Sequence, residues 1–291
     1  MPIESWVPKK LSDEDWKILN LVKENYPPPL REVDQIRMRD EYLLFQCKIL
    51  FNELAGKRAV FLGDPEMSLI IGMYCKKGLA PFPDHILVID FDKRILKSIK
   101  KFAKDQDLDY LIDAELYNVK WKVPERYIEW GDFFYTNPAF GSKSEPKGLP
   151  IIIFIDRCLS MCAPRASGCI VLPYDPTRPW TPEVTLNVQA YLIEMKCVIR
   201  EMVSNVHLYK LDDDPNLRSS YMLIDRLSSR KTKYKSDEEI PIENLRYFYG
   251  SSNEPVPEYI EEDETFIYKK EYLTETDYNM IEEKKRKYQI I

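Results

Sequence analysis

Short apolar runs that end on glycine, acid or asparagine, each separated from the next by a helical segment, constrain the fold of this chain most strongly. Arg58–Leu62 runs into Gly63-Asp64, Ile86–Asp90 ends on an acid, and Phe133–Tyr135 leads into Thr136-Asn137-Pro138. A further strand falls near Tyr110–Ile112, and another over Cys169–Leu172 before Pro173-Tyr174-Asp175. Helical segments lie between them: Glu66–Lys76, a basic stretch Lys93–Lys104, Leu149–Cys162 and Glu183–Met195. Strands alternating with helices make βαβ units, which assemble into a mostly parallel sheet. The expected class is therefore α/β: a Rossmann-like, doubly wound, mostly parallel sheet. Cys197–Val203 and Tyr221–Leu227 have no helix between them. They are expected as an antiparallel pair, which makes the last strand antiparallel.

The flanks differ in character. Ser12-Asp13-Glu14-Asp15 resembles a capping box and opens a helix with Trp16, Leu19 and Val22 on one face. Pro27-Pro28-Pro29 stops it. A second helix is expected over Asp34–Leu54, with an apolar stripe of Ile36, Leu43, Cys47, Leu50 and Leu54. Beyond Ser228 the chain turns polar, with an acidic, proline-containing stretch Glu254–Glu264 and a terminal helix expected within Glu271–Ile291. The spacing thus divides the chain into an N-terminal helical subdomain (1–55), a Rossmann-like domain (56–228) and an irregular C-terminal extension (229–291) that wraps the domain or a partner. The aromatic residues of that extension are compatible with a homodimer.

Composition removes several functional classes. Basic side chains number 42 and acidic ones 48, a net charge of −6, so the overall basic footprint of a nucleic-acid binder is missing. An acidic balance suits a cationic or small-molecule substrate. No stretch is long and apolar enough for a membrane span, and Met1–Lys10 lacks the apolar core of a signal peptide. The 6 cysteines form no Cys-x-x-Cys pair and sit in apolar runs, as buried thiols do in a reducing cytoplasm. With 2 histidines, a His/Cys metal site is not expected.

Three strand ends carry the chemistry. Gly63 lets a ligand approach the backbone, but no further glycines follow at dinucleotide-fingerprint spacing. Asp64 and Glu66 would repel a phosphate, so the loop suits a nucleoside that carries a cation. Asp90, with Asp92 beyond it, stands where a carboxylate takes ribose hydroxyls, although such an acid also caps the following helix. Asn137 and the carbonyl of Pro138 can accept hydrogen bonds from one amine, on which Phe140 can pack. Asn-Pro is also an ordinary turn dipeptide. Tyr174, Asp175 and Trp180 are candidates for the acceptor pocket. Asp212-Asp213-Asp214 reads as a solvated acidic turn before it reads as a cation site.

In order and spacing these motifs resemble class I S-adenosylmethionine-dependent transferases. Asn137-Pro138-Ala139-Phe140 is similar to the Asn/Asp-Pro-Pro-Tyr/Phe motif of amino-group methyltransferases. Asp34-Gln35, Gly56-Lys57-Arg58, Leu62-Gly63-Asp64 and Val88-Ile89-Asp90-Phe91-Asp92 resemble the archaeal branched-chain polyamine synthases. Those are N4-bis(aminopropyl)spermidine synthases that use decarboxylated S-adenosylmethionine. The resemblance runs over roughly Asp34–Leu227 and implies a donor site of Gly63, Asp64, Asp90, Asp92 and Asn118, the last in an adenine-contacting position. It also implies an acceptor site at Asn137, Pro138 and Phe140. Two departures are visible: Pro65 breaks the family's acidic first loop, and Asn137-Pro138-Ala139 stands for its Asp-Pro-Pro. A carboxylate can take a proton from an amine, whereas an amide only orients a neutral one. The asparagine therefore puts an S-adenosylmethionine-dependent N-methyltransferase first and an aminopropyltransferase second, while the broken first loop and the missing second proline motivate a catalytically silent binding protein as the third. The expected ligands are S-adenosylmethionine or its decarboxylated form, and a small amine.

Overall fold

The apolar runs become strands of one sheet. The computed structural model describes residues 11–228, 230–249, 254–283 and 288–291, with no side-chain description at 282 and 283; the reading of Met1–Lys10 lies outside the described residues. In chain order the elements are α1 (Asp13–Glu24), α2 (Asp40–Leu54), β1 (Arg58–Leu62), α3 (Glu66–Lys76), β2 (His85–Asp90), α4 (Lys93–Asp105) and β3 (Ile112–Leu116). β4 (Gly131–Thr136), α5 (Leu149–Met161), β5 (Cys162–Leu172), α6 (Trp180–Glu194), β6 (Cys197–Leu208) and β7 (Arg218–Arg226) follow. The tail adds β8 (Tyr259–Ile260), β9 (Phe266–Tyr268), α7 (Glu275–Glu283) and β10 (Tyr288–Ile290).

The main sheet has 7 strands in the order β3-β2-β1-β4-β5-β7-β6. β1 to β5 run parallel, and β7 pairs antiparallel with both β5 and β6. This is the doubly wound architecture expected, with its last strand antiparallel. The chain leaves β1 toward β2 and β3, then returns to β4 on the other side. The carboxyl ends of β1 and β4 therefore flank the point where strand order reverses, and in open α/β sheets the ligand crevice opens there.

Alternate residues of β1 feed two cores. Ala59 and Phe61 face a cluster filled by α1, α2, α3 and α4. Val60 and Leu62 face one filled by α5, α6 and the tail residues Phe248, Ile260 and Phe266. The N-terminal helices and the tail thus each complete one face of the sheet. The capping box forms as read: Ser12 Oγ accepts from the Asp15 amide at 3.1 Å, and Asp15 Oδ2 accepts from the Ser12 amide at 3.0 Å.

Several boundaries differ from expectation. On α1 the buried residue is Ile18 rather than Trp16, which stays 38% exposed. α2 starts at Asp40, not Asp34, because Asp34 takes a left-handed φ of 55° and ends a short 3-10 turn. β3 begins where the Tyr110–Ile112 strand was expected to end, and β5 starts at Cys162, well before Cys169. The C-terminal extension is not wholly irregular: β10, β9 and β8 form a second, 3-stranded sheet. Its aromatic residues turn inward. Phe248 stacks on Phe154 at 6.1 Å and Tyr249 on Phe91 at 5.9 Å, so these rings face the chain's own core. All 6 cysteines are buried free thiols. Among the described residues no helix is long and apolar enough to cross a membrane.

Because α2 shares a core with the sheet, Leu44→Ala (0% exposed) should cost about 2–5 kcal/mol. The loss should appear as one cooperative transition in chemical denaturation followed by both far-UV and near-UV signals. A separate early transition carrying only helical signal would instead mark residues 1–55 as an independent unit.

Candidate active site

The crevice is a cavity of about 550 Å³ at the carboxyl ends of β1, β2 and β4. Two loops meet at its floor. Gly63 follows β1 with φ 106°, and a Cβ there would lie 2.5 Å from the Asn137 carbonyl oxygen. Glycine is therefore demanded first by the contact between two loops of the chain itself. Beside it, Asp64 Oδ2 accepts from Asn137 Nδ2 and from the Tyr135 hydroxyl, both at 2.7 Å. Asp64 borders the cavity. Burial, with Glu66 close by, pushes its carboxyl up to about 7, and the Tyr135 and Asn137 donors oppose that rise. Glu66 is paired with Arg37 at 3.4 Å, and Arg37 lies over the Tyr26 ring at 5.6 Å.

Asp90, at the end of β2, also borders the cavity. Burial and the neighbouring Asp92 raise its carboxyl to about 7. Ile89, Phe91, Tyr117 and Val119 line the same cavity, which therefore offers apolar surface as well as a carboxylate. Pro138, Phe140 and Trp180 also line the cavity.

Four expected site residues are placed elsewhere. Asp92 is fully buried and does not border the cavity. It caps α4 by accepting from the Arg94 amide, pairs with the Arg94 guanidinium at 2.6 Å and accepts from Gln35 Nε2 at 3.0 Å. Asn118 turns away from the crevice, and its Nδ2 donates to the carbonyls of Pro257 and Glu258 at 2.8 and 2.9 Å. It is one part of a clasp on the tail. The buried Lys120 pairs with Glu258 at 2.7 Å, and Trp121 Nε1 donates to the same carboxylate at 2.5 Å. Tyr117 and Val119 take the cavity-facing places that flank Asn118. Tyr174 and Asp175 also miss the cavity. Asp175 binds Thr177 and sits 3.4 Å from Arg178, which is the residue that reaches the cavity rim.

The acidic turn is more than a solvated loop. Arg178 grips Asp214 with two bonds of 2.6 Å, Asp213 sits 3.3 Å from Arg31, and both acids border the cavity. Sequence reasoning also missed Tyr26, Arg37, Tyr209 and Tyr249 as lining residues. Asp34-Gln35 is the motif that could have pointed to the first two. In all, six lining carboxylates (Asp34, Asp64, Glu66, Asp90, Asp213, Asp214) face three lining guanidinium groups (Arg31, Arg37, Arg178). The excess of negative charge favours cationic ligands.

A family model described as the branched-chain polyamine synthase A C-terminal domain matches residues 16–273. An N(4)-bis(aminopropyl)spermidine synthase of Thermus thermophilus is 24% identical over 189 residues, 63% of this chain and 50% of that protein. A protein of the same description from Methanocaldococcus jannaschii is 28% identical over 120 residues, 40% of this chain and 32% of that one. The chain thus spans half or less of the length of these relatives. Among solved structures, the branched-chain polyamine synthase of Thermus thermophilus, in complex with N4-aminopropylspermidine and 5'-methylthioadenosine, superposes with a TM-score of 0.62 at 20% identity. The match covers 78% of this chain and 67% of that one. Its C9 mutein gives 0.64 at the same identity, over 78% and 66% of the two chains. At this identity the likeness establishes the fold.

The contact at Gly63 can be tested directly. Gly63→Ala should cost about 1–3 kcal/mol, because both its positive φ and the Asn137 backbone oppose a Cβ. An unchanged melting temperature would refute the packing of the two loops.

Proposed function

Because this chain belongs to the branched-chain polyamine synthase A C-terminal domain family, we propose that it transfers an aminopropyl group from decarboxylated S-adenosylmethionine to an amine nitrogen of a polyamine. The carrying observation is the carboxylate of Asp64, hydrogen-bonded at 2.7 Å to Asn137. The sequence put N-methyl transfer first because an amide had replaced an acid at position 137. An acid is nonetheless present at that point, supplied from the β1 loop. A cavity with six carboxylates against three guanidinium groups suits a cationic donor and a cationic acceptor together. It is a poor seat for a phosphate backbone, so nucleic acid is not the proposed acceptor.

The donor, when bound, supplies a sulfonium carbon that accepts the amine lone pair as the carbon–sulfur bond breaks. In this reading Asp90 takes the ribose hydroxyls, and Ile89, Tyr117 and Val119 enclose the base. The Asn137 side-chain oxygen and the Pro138 carbonyl accept from the acceptor nitrogen, while Phe140 and Trp180 wall it in. Asp64, with a carboxyl raised to about 7, receives the proton that the alkylated amine releases. Holding the nitrogen in line with the reacting carbon provides most of the rate.

One observation favours N-methyl transfer as a second reading. Arg37 borders the cavity with its Nε ion-paired to Glu66 at 3.4 Å, and its Nη2 is buried without a hydrogen-bond partner. A guanidinium in that state suits the carboxylate that S-adenosylmethionine has and the decarboxylated donor lacks.

Calorimetry with the two donors separates the readings. We expect the decarboxylated donor to bind at least about tenfold more tightly, roughly the weight of one charged contact. Tighter binding of S-adenosylmethionine would favour methyl transfer, and binding of neither would favour a silent protein. Transfer should also rise with pH through about 7, as Asp64 and Asp90 become ionised, and at saturating donor Asp64→Asn should flatten that rise.

The same substitution should act on stability with a defined sign. Asp64 in the folded chain binds its proton more tightly than in the unfolded one, where its value is near 3.8. Its contribution is therefore fully present below about pH 4 and is lost as pH rises through about 7. Asp64→Asn should raise the melting temperature relative to the parent at pH 8 more than at pH 4.

A further inference from the structure

The turn that follows β2 is held from several parts of the chain, and one guanidinium gathers them. Asp90 Oδ1 accepts from the Asp92 amide at 2.8 Å, an Asx turn that ties one carboxylate oxygen to the backbone. The Asp90 carbonyl accepts from the Tyr117 amide at 2.9 Å, and the Phe91 carbonyl from the Ile260 amide at 3.0 Å. The end of β3 and the tail strand β8 thus hold the backbone of the turn. Its side chain at position 92 is held by Arg94. Asp92 Oδ1 accepts from the Arg94 amide at 3.0 Å and from Nε at 3.1 Å. Asp92 Oδ2 accepts from Arg94 Nη2 at 2.6 Å and from Gln35 Nε2 at 3.0 Å. Arg94 Nη1 then reaches outward, donating to Glu264 at 2.9 Å and to the Pro28 carbonyl at 3.4 Å. Gln35 Oε1 in turn accepts from the Leu30 amide at 2.8 Å. The N-terminal segment, the end of β2 and the C-terminal extension therefore meet at Arg94.

We propose that Arg94 is a positioning residue of the donor site: through Asp92 it fixes this turn, so that Asp90 keeps Oδ1 tied to the protein and offers Oδ2 to the vicinal hydroxyls of a nucleoside. The proposal rests on the reading of Asp90 as the ribose acid. Asp92 is 0% exposed and Arg94 7% exposed, and neither borders the cavity, so neither touches a ligand there. One hydrogen bond from a backbone amide is a modest restraint on a carboxylate. A planar guanidinium that takes both oxygens of Asp92 locks the residue that supplies that amide. The pair also acts through charge. Asp92 is a like charge beside Asp90, and together with burial it raises the Asp90 carboxyl to about 7. The other acids on the cavity that Asp90 borders are Asp34, Asp64 and Glu66, the last paired with Arg37, and the rim pair Asp213 and Asp214; Tyr26, Tyr117 and Tyr249 also line it. Arg94 is the cation that meets Asp92 itself. Without it, the acid that takes the ribose hydroxyls would hold its proton to a higher pH.

Arg94→Lys keeps the charge and removes the fork. We expect it to bind 5'-methylthioadenosine, the nucleoside that the proposed transfer leaves behind, about tenfold more weakly by calorimetry at pH 8. On an Asp90→Ala background it should have no further effect, because its influence passes through that carboxylate. A purely structural role predicts losses that add in the double variant. That result would overturn the proposal, as would unchanged affinity in Arg94→Lys. Asp92→Asn gives a second readout that does not depend on how well Arg94→Lys folds. It removes the charge beside Asp90, so nucleoside binding should be weaker at pH 8 while the midpoint of its pH dependence falls below the parent's. A midpoint left in place would count against the coupling of the two acids and overturn the proposal. Unchanged affinity in Asp90→Ala would refute the reading of Asp90 as the ribose acid, and the proposal with it. Nucleoside binding without any transfer would refute the proposed function and leave the Arg94 effect readable. No nucleoside binding by the parent protein would overturn both.

Discussion

Asp64 and Asn137 share a hydrogen bond across the ends of two neighbouring strands, and the rest of the site is arranged around it. The bond is possible only because Gly63 has no side chain where the Asn137 backbone passes. It joins the loop that would hold a donor to the turn that would hold an acceptor, so the two halves cannot move independently. The parallel pairing of β1 and β4, with Leu62 opposite Thr136, sets the register that brings them together. A one-residue slip would reverse both side-chain faces and separate the pair.

Keeping carboxylates in such a place opposes stability. Asp64 and Asp90 are both raised by burial and by a neighbouring acid. Raised acid pKa values of this kind concentrate where proton chemistry or charge recognition is needed. The chain limits the strain by pairing three of the four other lining acids: Glu66 with Arg37, Asp213 with Arg31 and Asp214 with Arg178. The lining acids thus differ in their partners rather than in their type.

Strand ends were legible in the sequence because a parallel strand buried on both faces announces itself as an apolar run, and the residues after it fall at the crevice. Gly63, Asp90 and Asn137 were found in this way, and all three border the cavity. What the sequence did not carry was side-chain direction. Asp92 lies two positions past Asp90, yet it points back to cap α4 and meet Arg94. Asn118 flanks the cavity but spends its amide on residues far along the chain. Trp180 was recognised and reaches the cavity, whereas Asp175 beside it serves Arg178. The walls contributed by Tyr26, Arg37, Tyr209 and Tyr249 come from segments distant in sequence, and no local pattern marks them.

The clasp at Lys120 has a consequence in time. Asn118, Lys120 and Trp121 are translated long before the Pro257–Glu258 segment they hold. A growing chain can form the first strands and their crevice while Lys120 still lacks the carboxylate that neutralises it. Contacts between residues this far apart carry a high closure entropy and form late. The wall that includes Tyr249 is then the last part of the cavity to be built, and a ribosome-bound chain presents the crevice open on that side.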